Sequence, residues 1–352
     1  MTRSSRPRLA YRKGKRQMLK KLLRSREATA IAFIILLFLG VGAINPGFLS
    51  VSNIMLLFNS SVVYTIVAMG MALIIMTGEI DVSVGATLGM AAAVSGSMIR
   101  DGQPWALAIG AAVLIGLIVG VINGFGVTVL RIPSIIMTLG ANGIVRGLIY
   151  VYTDGRWVEN IDPAFKALSQ HKILDTFTYF YLGALLLMTA VHLVLTRTHK
   201  GRFLAAVGDN AGGATLLGIP VEGTKWAAFA LGGVMAALGG VIYVSRVGFI
   251  TPIAGSGYEM TVIAACVLGG ISLSGGVGSL IGAAAGAVIM SSIPRILVFI
   301  GLPSTYDDTI TGVLLIVIVV SDALIRRREV ERARRERLSV RSQAVKEVRA
   351  GE

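Results

Sequence analysis

Two carboxylates lie where a polypeptide rarely tolerates them. Glu79 and Asp81 stand in Thr77-Gly-Glu-Ile-Asp-Val-Ser-Val-Gly85, with long apolar runs on either side. An isolated charge in such surroundings is costly or is neutralised by protonation, so these side chains need a polar cavity, helix N-termini or cationic partners. Asp81 followed by Ser83 forms a good N-cap arrangement for the next helix. The same carboxylate is suited to contact a solute moving past it, and the two roles are compatible.

A second set of polar residues comprises Asn123, Thr138, Asn142 and Arg146. Asn142 and Arg146 are four residues apart and therefore share a helical face. Together the set offers donors and acceptors of the kind that a neutral polyhydroxylated solute uses. Arg146 has an alternative role, snorkelling to a membrane interface, as Arg295 after Pro294 would near the outer side.

Covalent and metal chemistry find no foothold. The chain has no GxSxG elbow, no HExxH and no GxxxxGK[ST] phosphate loop. His171, His192 and His199 have no ligand spacing, and the single cysteine, Cys266, excludes an intrachain disulfide. If ATP drives this protein, another subunit must hydrolyse it.

The elements that position these residues are hydrophobic helices. Ten apolar runs, each near the ~20 residues that a bilayer requires, occupy residues 28–43, 53–77, 82–99, 105–129, 133–152, 176–197, 225–245, 258–274, 278–300 and 306–325. A chain that is 54% hydrophobic and 15% charged, with a mean hydropathy of +0.76, cannot bury so much apolar surface in one soluble core. The expected fold is all-α, a polytopic membrane protein with about ten transmembrane helices. The first run could be a signal peptide ending near Val41-Gly42-Ala43, but its long basic leader and the many spans after it favour retention.

The net charge of +14 is concentrated at the ends. Eleven of the 33 Lys and Arg lie in residues 1–27 and ten more come after Asp322. Basic residues beside membrane spans mark the cytoplasmic side, so both termini are expected there and the span count should be even. Nucleic acid is not expected as a partner, because the aromatic residues that stack bases are missing from the tails; anionic lipid headgroups suit the charge better. With this orientation Arg131 and the loop 198–224 fall inside, whereas Arg100 and Arg246 depart mildly from the rule.

Small residues crowd the runs, including Gly116 and Gly120 at GxxxG spacing and Gly282-Ala-Ala-Ala-Gly286. Most of them serve close helix packing. Two clusters that interrupt a run echo each other: Thr77 to Gly85, followed by Leu88-Gly-Met-Ala-Ala-Ala93, and Leu268-Gly-Gly-Ile-Ser-Leu-Ser-Gly-Gly276, followed after a two-residue insertion by Ile281-Gly-Ala-Ala-Ala-Gly286. Matching interrupted helices point to an internal repeat and to a substrate path. The helix count makes both interruptions face the same side. In the inner loop, Asp209 or Asn210 is suited to cap a short helix from Ala211 to Leu217, with Gly218 and Pro220 stopping it. Such a helix fits a partner's groove or serves as a mere connector.

Several of these segments, in this order, resemble the inner-membrane permeases of bacterial ABC importers for ribose, xylose, rhamnose and related sugars. They are Ile80-Asp-Val-Ser-Val-Gly85, Ile132-Pro-Ser-Ile-Ile-Met-Thr-Leu-Gly140 with Arg146-Gly147, Gly208-Asp-Asn-Ala211 and Ala264-Ala-Cys-Val-Leu-Gly-Gly-Ile-Ser272. The resemblance covers nearly all of residues 28–325 and makes that region the permease domain, flanked by charged tails at 1–27 and 326–352. It implies a permease paired with itself or a sister permease, an extracytoplasmic solute-binding protein, and two cytoplasmic ATPase subunits that bind ATP and Mg; this chain itself would hold no cofactor. Gly208, Asp209, Asn210, Ala211, Leu217 and Gly218 would form the coupling loop that docks in the ATPase. Gly155-Arg-Trp-Val-Glu159 looks closest to autoinducer-2 importers, with rhamnose permeases near behind. Glu79 departs from the family, which often has an uncharged residue there, and the tails are longer than usual. The rival readings are an ion-coupled secondary transporter using Glu79 and Asp81, and a membrane-embedded enzyme.

Overall fold

The computed structural model describes residues 26–173 and 176–324, together with Arg327 and Glu331. The tails expected at 1–27 and 326–352 thus lie almost wholly outside the described residues. In order come α1 (Arg26–Ile44), a 3-10 turn (Pro46–Leu49), α2 (Val51–Ser60), α3 (Val62–Met76), α4 (Val84–Arg100), α5 (Trp105–Thr128) and α6 (Ser134–Thr153). The next loop carries α7 (Pro163–Leu168) and a minimal antiparallel hairpin of β1 (Lys172–Ile173) and β2 (Phe177–Thr178). After it come α8 (Tyr179–Arg197), α9 (His199–Asp209), α10 (Ala211–Leu216), α11 (Val221–Val247), α12 (Tyr258–Leu268), α13 (Leu280–Phe299) and a last helix, α14, over 307–324.

Every apolar run of the sequence contains a helix, with three adjustments. The run 53–77 is two helices, α2 and α3, bent by 44° at Ser61. There the hydroxyls of Ser60 and Ser61 each donate to a carbonyl three residues back at 2.8 Å, competing with the helical ladder. The run 176–197 starts helical only at Tyr179, after β2. The run 258–274 stops at Leu268, because Gly270 adopts a left-handed backbone (φ 87) that hydropathy does not register. Among the described residues, five helices are long and apolar enough to cross a membrane, or six with the bent pair counted as one. The protein is therefore all-α and polytopic.

Helix α11 is the axis of the bundle, packing against α3, α4 and α5. It approaches them closely because glycines line the contacts. A Cβ on Gly116 or Gly120 of α5 would collide with the carbonyl of Gly233 or Phe229 on α11, so the GxxxG spacing is a backbone-to-backbone seam. Helices α12 and α13 meet in the same manner, Gly282 and Gly286 lying against the carbonyls of Gly269 and Ala265. Val158 and Ile250 exchange two backbone hydrogen bonds of 2.9 Å, tying the loop after α6 to the segment after α11. Arg100, which departed from the charge rule, is neutralised by a two-pronged contact with Asp101 at 2.8 and 3.2 Å; that hydrogen-bonded guanidinium holds the Asp101 carboxyl below the usual range.

Candidate functional site

The first interruption, Thr77–Ser83, begins with a Schellman turn. Gly78 is left-handed (φ 84), its amide donates to Ile75 O at 2.8 Å and the Glu79 amide reaches Ile74 O at 3.4 Å. The chain then runs irregularly to α4, and neighbouring helices satisfy it. Ser134 Oγ accepts from the Ile80 amide at 3.3 Å, and Thr138 Oγ1 accepts from the Val82 amide at 3.1 Å while donating to Ser134 O at 2.8 Å. Asp81 Oδ1 accepts from the amide and hydroxyl of Ser83 at 2.8 and 2.6 Å. Asn123 Nδ2 donates to Ser83 Oγ at 2.8 Å and to Asp81 Oδ2 at 3.4 Å.

Three sequence-derived residues, Asp81, Ser83 and Asn123, therefore form one side-chain network, and Thr138 holds the Val82 amide between the first two; each of the four is at most 2% exposed. Asp81 caps the turn before α4 rather than the helix itself; Ser83 occupies the N-cap position and makes no side-chain cap bond. Glu79 points elsewhere and takes a hydrogen bond of 2.5 Å from Lys225 in the first turns of α11. Sequence reasoning missed Lys225, although a lone cation at the edge of an apolar run is the partner that a lone carboxylate requires.

Asn142 and Arg146 belong to a second group. Arg146 Nη1 donates to Ala254 O at 2.6 Å, so the side chain turns inward instead of snorkelling. Ala254 and Gly255 are in the segment between α11 and α12, which dips along α4 until its carbonyls touch Gly85 and Gly89. Glu259, in the first turn of α12, lies against Gly85 and attracts Arg146 electrostatically. Asn142 Oδ1, Arg146 Nη2 and Glu259 Oε2 are buried and have no hydrogen-bond partner among the described residues. Sequence reasoning missed Glu259 too, although an acidic residue at the start of an apolar run, like Glu79 between two of them, needs a partner where the chain enters the bundle. Arg295, by contrast, is held by Asn53 and stacks 5.8 Å from the Phe299 ring centroid.

The loop 198–224 folds as two short helices at a corner. Asn210, not Asp209, caps α10, its Oδ1 accepting from the Gly213 amide at 2.9 Å. The helix ends at Leu216, with Leu217 as C-cap and Gly218 left-handed (φ 75). Leu216 and Leu217 are 90% and 81% exposed, leaving two large apolar side chains at the tip of a charged loop. Asp209 ends α9 instead, where the loop meets the transmembrane bundle at Gly208.

The second interruption, Gly269–Ser279, starts with the same turn. Gly270 donates to Val267 O at 2.9 Å and Ile271 to Cys266 O at 3.0 Å. The matching register is thus Gly78 with Gly270, one residue off the sequence echo, which aligns Gly78 with Gly269. The two interruptions also touch: the Gly276 amide donates to Met76 O at 3.0 Å. They lie at the same end of the bundle, beside the loop 198–224.

Residues 53–319 match the family described as branched-chain amino acid transport system / permease component. The chain is 39% identical over 309 residues to the autoinducer 2 import system permease protein LsrC of Escherichia coli (strain K12 / DH10B), covering 88% of this chain and 90% of that one. It is 40% identical over 311 residues to the protein of that name from Salmonella typhi, covering 88% and 89%. The Enterobacter sp. (strain 638) protein is 40% identical over 308 residues, covering 88% and 90%. No solved structure matches. These relatives are transport components rather than enzymes, and with them the chain belongs to the permease family of ABC importers.

Proposed function

We propose that this permease carries a sugar-like solute of the autoinducer-2 class inward across the bacterial inner membrane. In this reading it has ten spans, both termini are cytoplasmic, and the two interruptions belong to a parallel internal repeat. The family description names branched-chain amino acids and the curated relatives autoinducer 2, so family membership fixes the role and leaves the cargo to the relatives and the site. The unpaired Asn142, Arg146 and Glu259 atoms offer both donors and acceptors inside the bundle, which suits a hydroxyl-rich neutral solute.

The observation that carries the coupling is α10, with Leu216 and Leu217 exposed at its tip. Apolar side chains held on a capped helix fit a groove of an ATPase partner, which binds ATP and Mg. A solute-binding protein delivers cargo at the opposite face. A second permease packs against α6, where Gly140, Gly143 and Gly147 have open space around them, a spacing that lets membrane helices approach closely. The ion-coupled alternative loses its basis, because Glu79 is already paired with Lys225 and Asp81 with Ser83 and Asn123.

The test is reconstitution in proteoliposomes with the co-purifying ATPase and solute-binding protein. Uptake of labelled autoinducer 2 that needs ATP and survives an uncoupler is the expected result. Uptake by the chain alone, abolished by the uncoupler, overturns it.

A further inference from the structure

Three segments, distant in sequence, converge at the inner end of the bundle with their main-chain atoms in direct contact. They are Met76–Gly78 at the end of α3, Gly208–Asp209 at the end of α9, and Gly275–Gly276 within the second interruption. A Cβ on Gly208 would collide with the Met76 carbonyl and the Gly276 amide. One on Gly275 would lie 2.7 Å from the Gly78 amide nitrogen and 2.9 Å from Gly208 Cα; one on Gly276 would lie 2.8 Å from Asp209 Cα. Gly275 and Gly276 are also left-handed, with φ of 84 and 76. The Gly276–Met76 hydrogen bond crosses the contact at 3.0 Å.

Side chains in a packed interface change rotamer and absorb displacement; bare backbone has no such freedom. A contact of this kind either holds or separates, which is how packed elements transmit motion instead of dissipating it. We propose that Gly208, Gly275 and Gly276 are positioning residues for transport. They form a rigid joint through which movement of α9 and α10 carries the inner ends of α3 and of the second interruption as one piece. The inference rests on α10 being the ATPase contact. It adds where the motion goes: along Met76–Gly78 to Glu79 and Asp81, and so to the helices that hold them.

Two variants of the reconstituted complex test the joint. Arg202→Cys on α9 with Ser274→Cys in the second interruption, in a Cys266→Ala background, carries spin labels at two exposed positions without adding a Cβ to the contact. A joint that moves as one piece keeps the separation of the labels the same in the nucleotide-free and the ATP-bound complex. A separation that changes on ATP binding means that the segments part, and overturns the proposal. Gly208→Ala pries the joint open from the side of the loop. The expected result is retained ATPase binding and hydrolysis with at least a tenfold fall in solute moved per ATP. A wild-type ratio in the assembled variant overturns the joint, and if that variant fails to assemble the label separation decides alone. Failure of the wild-type permease to bind an ATPase would instead overturn the coupling role of α10.

Discussion

At Thr77–Ser83 and again at Gly269–Ser279 the chain leaves a membrane helix through a left-handed glycine and a pair of Schellman hydrogen bonds, yet beyond that turn the two segments differ. The first interruption carries two carboxylates and is gripped by side chains from three helices: Asn123 of α5, Ser134 and Thr138 of α6, and Lys225 of α11. The second carries no charge and is closed by its own backbone, Ser272 donating to Val277 O and Gly275 to Ser272 O, each at 3.0 Å. One way of ending a helix thus serves two mechanical purposes. The first interruption is fastened by side chains to the helices beside the candidate solute path, whereas the second meets the loop 198–224 at Gly276.

The largest expected effect falls on the fastened interruption. The Glu79 and Lys225 side chains are 16% and 21% exposed, so Lys225→Ala leaves a mostly buried, unpaired carboxylate. The expected destabilisation is about 3 kcal/mol, read as a shift in unfolding by denaturing detergent. Glu79→Gln with Lys225→Met removes both charges and should recover most of that loss. Equal losses in the single and double variants would show that the pair does not anchor the interruption.

Asp81→Ala comes next, at about 2 kcal/mol, because the Ser83 amide and hydroxyl lose their acceptor in a site closed to water. Uptake by the variant in proteoliposomes should fall by more than its folded yield does. Parallel losses would confine Asp81 to a structural role and weaken the contrast between the interruptions.

These partners mark the limit of what is legible in the sequence. The apolar runs locate the helices because the bilayer's length requirement is written directly into hydropathy. Asp81, Ser83, Asn123 and Thr138 are recognisable as buried polar residues, Asp81 between two apolar runs and the others within them. Their assembly is not, since it depends on how α5 and α6 cross α4. Lys225 and Glu259 escape for a related reason: each sits at the start of an apolar run, where a charge looks like an interfacial residue. The early end of α12 is hidden because Gly269, Gly270 and Ile271 read as apolar, and hydropathy is blind to φ. The same blindness displaces the repeat by one residue, since composition aligns glycines without knowing which of them is left-handed.

Gly78→Ala and Gly270→Ala test the shared half of the comparison. Both force a Cβ into the left-handed region, so each should cost about 1 kcal/mol and the two unfolding shifts should agree. A loss at one site alone would mean that the two turns only look alike. The smallest effect belongs to the other half, at Ser272, which is 6% exposed and joins its turn through main-chain atoms. Its hydroxyl has no hydrogen-bond partner among the described residues, so Ser272→Ala leaves both closing bonds intact and should shift stability by about 0.5 kcal/mol or less. That small number, set beside the larger one at Asp81, is what separates a side-chain-fastened interruption from a backbone-closed one. A shift at Ser272 as large as that at Asp81 would remove the distinction, and with it the reason for assigning the second interruption to the loop 198–224.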